Sequence, residues 1–293
     1  SSPVIEPKDI RLFTDAELQV TRTGQVHNDF PDEANVADIS LRLASRLETK
    51  RRRFWAGNPA KALAKVSKLI GLPENLPQTR VKRGSQAQTD WARIDKFTLQ
   101  RAGDMPVPAL LFRPPGNTSQ ALDVVIYADG RGMRSAANAN GPIQKLVNES
   151  TAVFAVDLRG LGETRDQGSN AKYHSHSHRV GNVATHIGQP LLGQRVRDLL
   201  AVVDYLDEIG SERVRSIRMV GVGAAAPVAL HAAALDARIS KVEFRNPTVS
   251  SWVEDIVAQP LRREMVDHMV PGALAWYDLP DLARQLGARR RPR

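Results

Sequence analysis

The chain has no cysteine, which removes disulfides, thiolate metal sites and cysteine nucleophiles together. Aromatic residues are scarce at 5%, and none is interleaved with either basic run, Lys50-Arg51-Arg52-Arg53 or Arg289-Arg290-Arg291-Pro292-Arg293. With no stacking residues and no nucleic-acid motif, both runs read as solvated faces, and no nucleic-acid partner is expected. Long hydrophobic runs are missing too. The longest apolar stretch, Met219 to Leu230, is too short and too rich in glycine and alanine to span a bilayer, so no membrane partner is expected. There is no internal repeat and no low-complexity tract. The chain opens Ser-Ser-Pro with neither an initiator Met nor a signal-peptide pattern, which predicts a processed product or a segment of something longer.

What is present is ample for a packed domain: 293 residues, 42% hydrophobic, with 41 basic against 32 acidic side chains and a net charge of +9. Residues 1–90 are polar with helical periodicity. Val36 to Phe54 predicts a charged amphipathic helix, and Asn58-Pro59 opens a second that stops at Gly71. From residue 91 the pattern changes. Ile94 to Leu99 and Val107 to Phe112 alternate around Arg101-Ala102-Gly103-Asp104, which predicts a hairpin. Val124 to Tyr127 and Ala152 to Val156 are continuous apolar runs suited to strands covered on both faces. Helices are predicted at Ile143 to Val147 and Leu191 to Leu206, and a last strand at Val242 to Phe244. Together, 91–293 predict an α/β domain with a doubly wound, mostly parallel sheet, short of its last strands, behind a helical or extended N-terminal segment 1–90.

Ser216 to Leu235 is a strand, a tight turn and an Ala-rich helix with Pro227 in its first turn. Turns of this kind lie at the carboxyl edge of a parallel sheet, where a Gly-X-Ser-X-Gly nucleophile elbow would sit. The five positions here are Gly221, Val222, Gly223, Ala224 and Ala225, so Gly223 stands where the serine belongs. The same stretch fits the dinucleotide fingerprint Gly-X-Gly-X-X-Gly/Ala, with Glu243 in the next strand as the ribose-binding acid. Against that reading, too little chain follows Glu243 for the remaining units of such a domain. His174, His176 and His178 alternate and could hold a metal with an open position for water; a surface loop is the plainer reading, and no cofactor is expected. Ser250, His268 and Asp278, or Asp267, could form a rearranged triad, since triads follow geometry and not sequence order. Ser250 also has the spacing of a helix N-cap, with Glu254 near the box position. Asp157, Arg159 and Glu163 read as structural, with the guanidinium pairing with the strand-end acid.

Several stretches together resemble the acetyl xylan esterase-like and dienelactone-hydrolase-like branch of the α/β-hydrolases. They are Thr23-Gly24-Gln25-Val26, Val107-Pro108-Ala109-Leu110-Leu111-Phe112, Asp129-Gly130-Arg131-Gly132, Asp157 to Thr164, Pro190 to Val196, Val270-Pro271-Gly272-Ala273-Leu274 and Tyr277 to Leu282. The resemblance implies an α/β-hydrolase fold, hydrolysis of a carbohydrate ester such as acetylated xylan, and an extracellular or periplasmic setting. It also implies an oxyanion site built from backbone donors at Ala224 and at Gly130, Arg131 and Gly132, although these residues could serve only the turns.

The chain departs from the family at three places. Gly223 replaces the nucleophile, Asp129 stands where the family often has histidine, and the sequence ends about where the strands carrying the catalytic acid and histidine would follow. The expectation is therefore an impaired esterase domain, or one acting within a longer enzyme. The alternative is a non-catalytic binding or scaffolding relative. A small-molecule or carbohydrate ester is the expected ligand, and a second copy or companion domain is expected to cover the shortened sheet edge.

Overall fold

In the computed structural model, which describes residues 10–116, 121–165, 178–262 and 265–289, the chain builds one seven-stranded sheet in the order β1-β2-β3-β5-β4-β6-β7. The strands are β1 (Thr79–Gln88), β2 (Arg93–Arg101), β3 (Val107–Arg113), β4 (Leu122–Asp129), β5 (Ala152–Val156), β6 (Val214–Val222) and β7 (Ile239–Arg245). Antiparallel pairing joins β1 to β2, β2 to β3 and β3 to β5, whereas β5, β4, β6 and β7 run parallel. The predicted hairpin is β2–β3, and the apolar run of β5 is buried at every position, as expected for a central strand.

Two one-turn helices, α1 (Asp15–Leu18) and α2 (Val26–Asp29), precede α3 (Val36–Gly57) and α4 (Pro59–Leu69). Asn35 and Asp38 form a reciprocal capping box at the start of α3, and Asn58 caps α4 with Pro59 in its first turn. The extended part of segment 1–90 is β1, which lies before residue 90 and is a member of the sheet. Helix α3 is tied down at its C-terminal half. Arg51 donates to the Leu274 carbonyl at 2.9 Å and faces Asp281, while Trp55 Nε1 donates to the Trp276 carbonyl.

The remaining helices are α5 (Pro142–Asn148), α6 (His178–His186), α7 (Leu191–Glu208), α8 (Ala226–Leu235) and α9 (Leu279–Arg289). One face of the sheet buries Ile143 and Val147 of α5 against Val125, Tyr127 and Val153. The other buries Val196, Leu199 and Val203 of α7 and Val228 and Ala232 of α8 against Val124, Ile126 and Phe154. Helices on both faces make the sheet doubly wound, as predicted. Among the described residues no helix is long and apolar enough to cross a membrane. β7 is an edge strand, with Lys241, Glu243 and Phe244 exposed along it.

Candidate functional site

Strand order locates the crevice. The chain leaves β4 toward β5 on one side and leaves β6 toward β7 on the other, so the loops at the carboxyl ends of β4 and β6 diverge. Such a switch point is where open α/β sheets bind ligands. Asp129 and Val222 are paired in register at those ends, and the Gly130 N–H donates to the Val222 carbonyl at 3.0 Å. The two loops touch closely: a Cβ on Gly130 would lie 2.7 Å from the Ala224 nitrogen.

Gly223 has φ +58°, a left-handed conformation that a side chain adopts only under strain. A Cβ there would nevertheless meet only the Thr248 hydroxyl, at 3.8 Å. The turn thus has the bend and the room of an elbow without the nucleophile. Gly221 is needed for a different reason. A Cβ on it would come within 2.7 Å of the Ala229 methyl and 2.8 Å of the Ala226 Cα, so its absence lets α8 sit against the end of β6. Thr248, which donates its N–H to the Gly223 carbonyl at 3.2 Å, is a site residue that nothing in its local sequence marks. Arg262 fixes it by donating to its carbonyl at 2.6 Å.

The predicted oxyanion donors are largely engaged by the protein itself. Asp129, only 2% exposed, turns its carboxylate back so that Oδ1 accepts the Arg131 N–H at 2.9 Å, and the Arg131 guanidinium lies along both oxygens. Gly132 donates its N–H to the Asp129 carbonyl at 2.9 Å. The expectation that Gly130, Arg131 and Gly132 offer donors to a ligand is corrected accordingly: each N–H already has an acceptor. Ala224, in the first turn leading into α8, is the remaining member of the set.

The candidate triad residues are not brought together. Both the N–H and the hydroxyl of Ser250 donate to Asp255 Oδ2, at 2.7 and 3.0 Å. Ser250 is not the N-cap of the following one-turn π-helix, a position held by Trp252, and it is the Ser251 hydroxyl that accepts the Glu254 N–H, at 3.2 Å. Asp278 is saturated: it accepts the Ser251 hydroxyl and the Trp252 and Leu279 N–H groups, each at 2.7 Å. Among the described residues no hydrogen bond joins a serine to a histidine. His268 is 2% exposed, its carbonyl accepts from Trp252 Nε1 at 2.9 Å, and its Nδ1 is buried without a partner. Neighbouring Asp267 faces Arg195 at 3.2 Å. His231 is fully buried between the Pro227 carbonyl (2.6 Å) and the Tyr277 hydroxyl (3.0 Å). Burial in an apolar surrounding pulls both imidazoles down to about 4, so both stay neutral near neutral pH.

Three other readings concern residues away from the elbow. His174 and His176 lie outside the described residues, His178 opens α6, and no cluster of metal-ligating side chains occurs among the described residues. Glu243 sits within β7 opposite Val220, and its carboxylate accepts from Arg245 Nε at 2.7 Å instead of facing the Gly221 turn. Asp157 does not pair with Arg159. It accepts the Met133 N–H at 2.6 Å and the Glu163 N–H at 2.8 Å, pinning two loops at the crevice. Arg159 turns instead to Asp198 and to Asp104.

No family model and no curated protein matches the sequence. Solved structures do match. A candidate acetyl xylan esterase from Bacteroides fragilis shares 16% identity over 93% of this chain and 74% of its own, with a TM-score of 0.64. Acetyl xylan esterase 1 from Thermoanaerobacterium sp. JW/SL YS485 shares 17% identity over 77% of this chain and 74% of its own, with a TM-score of 0.51. At these identities the likeness is one of fold. The chain shares the α/β-hydrolase fold of these structures, as the sheet order and the helices on both faces require.

Proposed function

We propose that this chain is a carbohydrate-esterase-like hydrolase fold that binds a polyhydroxyl ligand at the crevice between β4 and β6 without cleaving esters through a serine. The observation that carries the reading is the Asp129 carboxylate folded onto the Arg131 N–H beside a nucleophile position occupied by Gly223. A tetrahedral intermediate develops negative charge and needs donors preorganised toward it. A carboxylate at that place repels such charge, and with 2% exposure and Arg131 already on it, it serves to hold the loop. Arg131, with its side chain 74% exposed and its guanidinium fixed along that carboxylate, offers outward-facing donors. Guanidinium donors suit the hydroxyl oxygens of a sugar, and the esterase-like fold supports a carbohydrate as the ligand class.

The test is acetate release from 4-nitrophenyl acetate and acetylated xylan, together with calorimetric titration of xylo-oligosaccharides into the native protein and Arg131→Ala. The expected result is no release above buffer, with saturable sugar binding that Arg131→Ala weakens about tenfold, as expected when one charged hydrogen-bond partner is lost. Enzyme-dependent acetate release, or no sugar binding by the native protein, would overturn the reading.

A further inference from the structure

A second hollow, outside the crevice, lies at the opposite end of the parallel strands. A cavity of about 520 Å³ opens between the C-terminal end of α7 and the sheet face below it. Its floor and walls are apolar: Phe97 and Tyr205 are buried, with ring centroids 5.5 Å apart, and Leu111, Leu122, Ile209 and Val214 are half-buried along it. A volume of this size is within the range, roughly 300–1,000 Å³, of sites that hold small organic molecules.

The rim is cationic. Arg83, Lys96, Arg113 and Arg213 line it, against a single lining carboxylate, Asp95. Asp95 is already engaged, accepting from Arg113 and from Gln86. Arg83 lies over the Phe97 ring at 6.0 Å, and neither it, Lys96 nor Arg213 has a carboxylate partner among the described residues. This contrasts with Arg101, Arg159 and Arg238 elsewhere, each of which is paired with aspartate. The backbone also opens the rim. The β1–β2 register slips between Arg83 and Gln86, and Gly84 crosses Lys96 so closely that a Cβ would lie 3.2 Å from the Lys96 Cβ. A bulge of this kind bends an edge strand and re-aims its side chains.

We infer that this cavity binds an amphipathic anion, an aliphatic or aromatic body carrying one anionic head group. The body replaces water against Phe97, Tyr205, Leu111 and Ile209, and the head group neutralises Arg83, Lys96 and Arg213. Low-dielectric walls beside uncompensated cations strengthen that attraction relative to open water. A neutral molecule of the same shape gains the first contribution and not the second. A cationic one meets repulsion.

The test uses the full chain and monomeric decanoate, with decanol and decyltrimethylammonium as matched controls, read by calorimetric titration. Decanoate is expected to bind once per chain, about tenfold or more tighter than decanol, a difference of about 1.4 kcal/mol. Decyltrimethylammonium should not bind. Lys96→Ala changes an exposed side chain and should lower decanoate affinity severalfold while leaving decanol binding unchanged. Ile209→Trp fills the cavity and should abolish both, with circular dichroism and melting temperature confirming a folded protein. Equal affinity for decanoate and decanol, no decanoate binding, or undiminished decanoate binding by folded Ile209→Trp or Lys96→Ala would overturn the proposal. Binding to phosphatidylglycerol vesicles without uptake of decanoate would also overturn it, by placing recognition on the exposed basic surface and not in the cavity.

Discussion

At the carboxyl ends of β4, β5 and β6, the buried charges are held by the protein. Asp129 is occupied by Arg131, Asp157 by two backbone N–H groups, and Arg159 by Asp198, Asp104 and Gln194. At the amino ends of the same strands, the one carboxylate lining an apolar cavity, Asp95, is taken by Arg113, and the other three cations of its rim have no carboxylate partner among the described residues. The first end is where an α/β-hydrolase does its chemistry, and here its polar groups are spent on holding the loops together. The second end is ordinarily the passive one, and here it keeps unspent charge. Buried polar groups without partners are costly, so a saturated network marks structural use. Solvated cations beside an apolar hollow remain available to a ligand.

The largest effect is expected at Asp198. Asp198→Ala leaves the Arg159 guanidinium, 6% exposed, with only Asp104 and Gln194, and should cost about 3–5 kcal/mol in denaturant unfolding. A cost below about 1 kcal/mol would mean that the network is not structural. Acid acts next. His231 and His268 are held neutral in the fold down to about pH 4, whereas in the unfolded chain they take up protons near pH 6.5. Their contribution is therefore complete above pH 6.5 and lost as pH falls from 6.5 toward 4, by roughly 3 kcal/mol per histidine at the lower limit. A denaturation midpoint flat between pH 7 and 4.5 would contradict the burial of these two rings.

The two elbow glycines differ within one turn. Gly221→Ala forces a methyl group into Ala229 and Ala226 and should cost about 1–3 kcal/mol. Gly223→Ser finds open space as far as Thr248 and should cost only about 1 kcal/mol, from the positive φ alone. Urea midpoints of the two variants would show the order, and the reverse order would mean that the turn is not built as described. The smallest effect belongs to the opposite end. Lys96→Ala should change stability by less than about 0.5 kcal/mol, since no ion pair is lost, and a larger loss would show that this cation has a structural role.

Much of the architecture was legible in the sequence because the signals were local. Apolar runs marked β4 and β5, alternation marked the β2–β3 hairpin, and Asn58-Pro59 marked the start of α4. β1 was not legible. Its sequence, Thr-Arg-Val-Lys-Arg-Gly-Ser-Gln-Ala-Gln, is that of an exposed edge strand, whose pairing comes from backbone groups that leave no hydrophobic pattern. The missing nucleophile at Gly223 could be read directly, but the state of the oxyanion donors could not. Whether Asp129 faces a ligand or its own loop depends on a side-chain rotation, not on residue identity. The Arg159 partner was misplaced because Asp198 lies 39 residues away on α7, where no spacing rule reaches. The cavity escaped because its walls come from strands, a helix end and a loop that only the folded sheet brings together.

Intact-mass measurement after treatment with a fluorophosphonate probe decides whether the crevice keeps the hydrolase fold without serine chemistry, as proposed, because that reagent reports an activated serine whatever the substrate. An unchanged mass is expected for the native protein. A single stoichiometric adduct, mapped to Ser250, Ser251 or any other serine, would contradict it and show that a nucleophile has been rebuilt elsewhere in the fold.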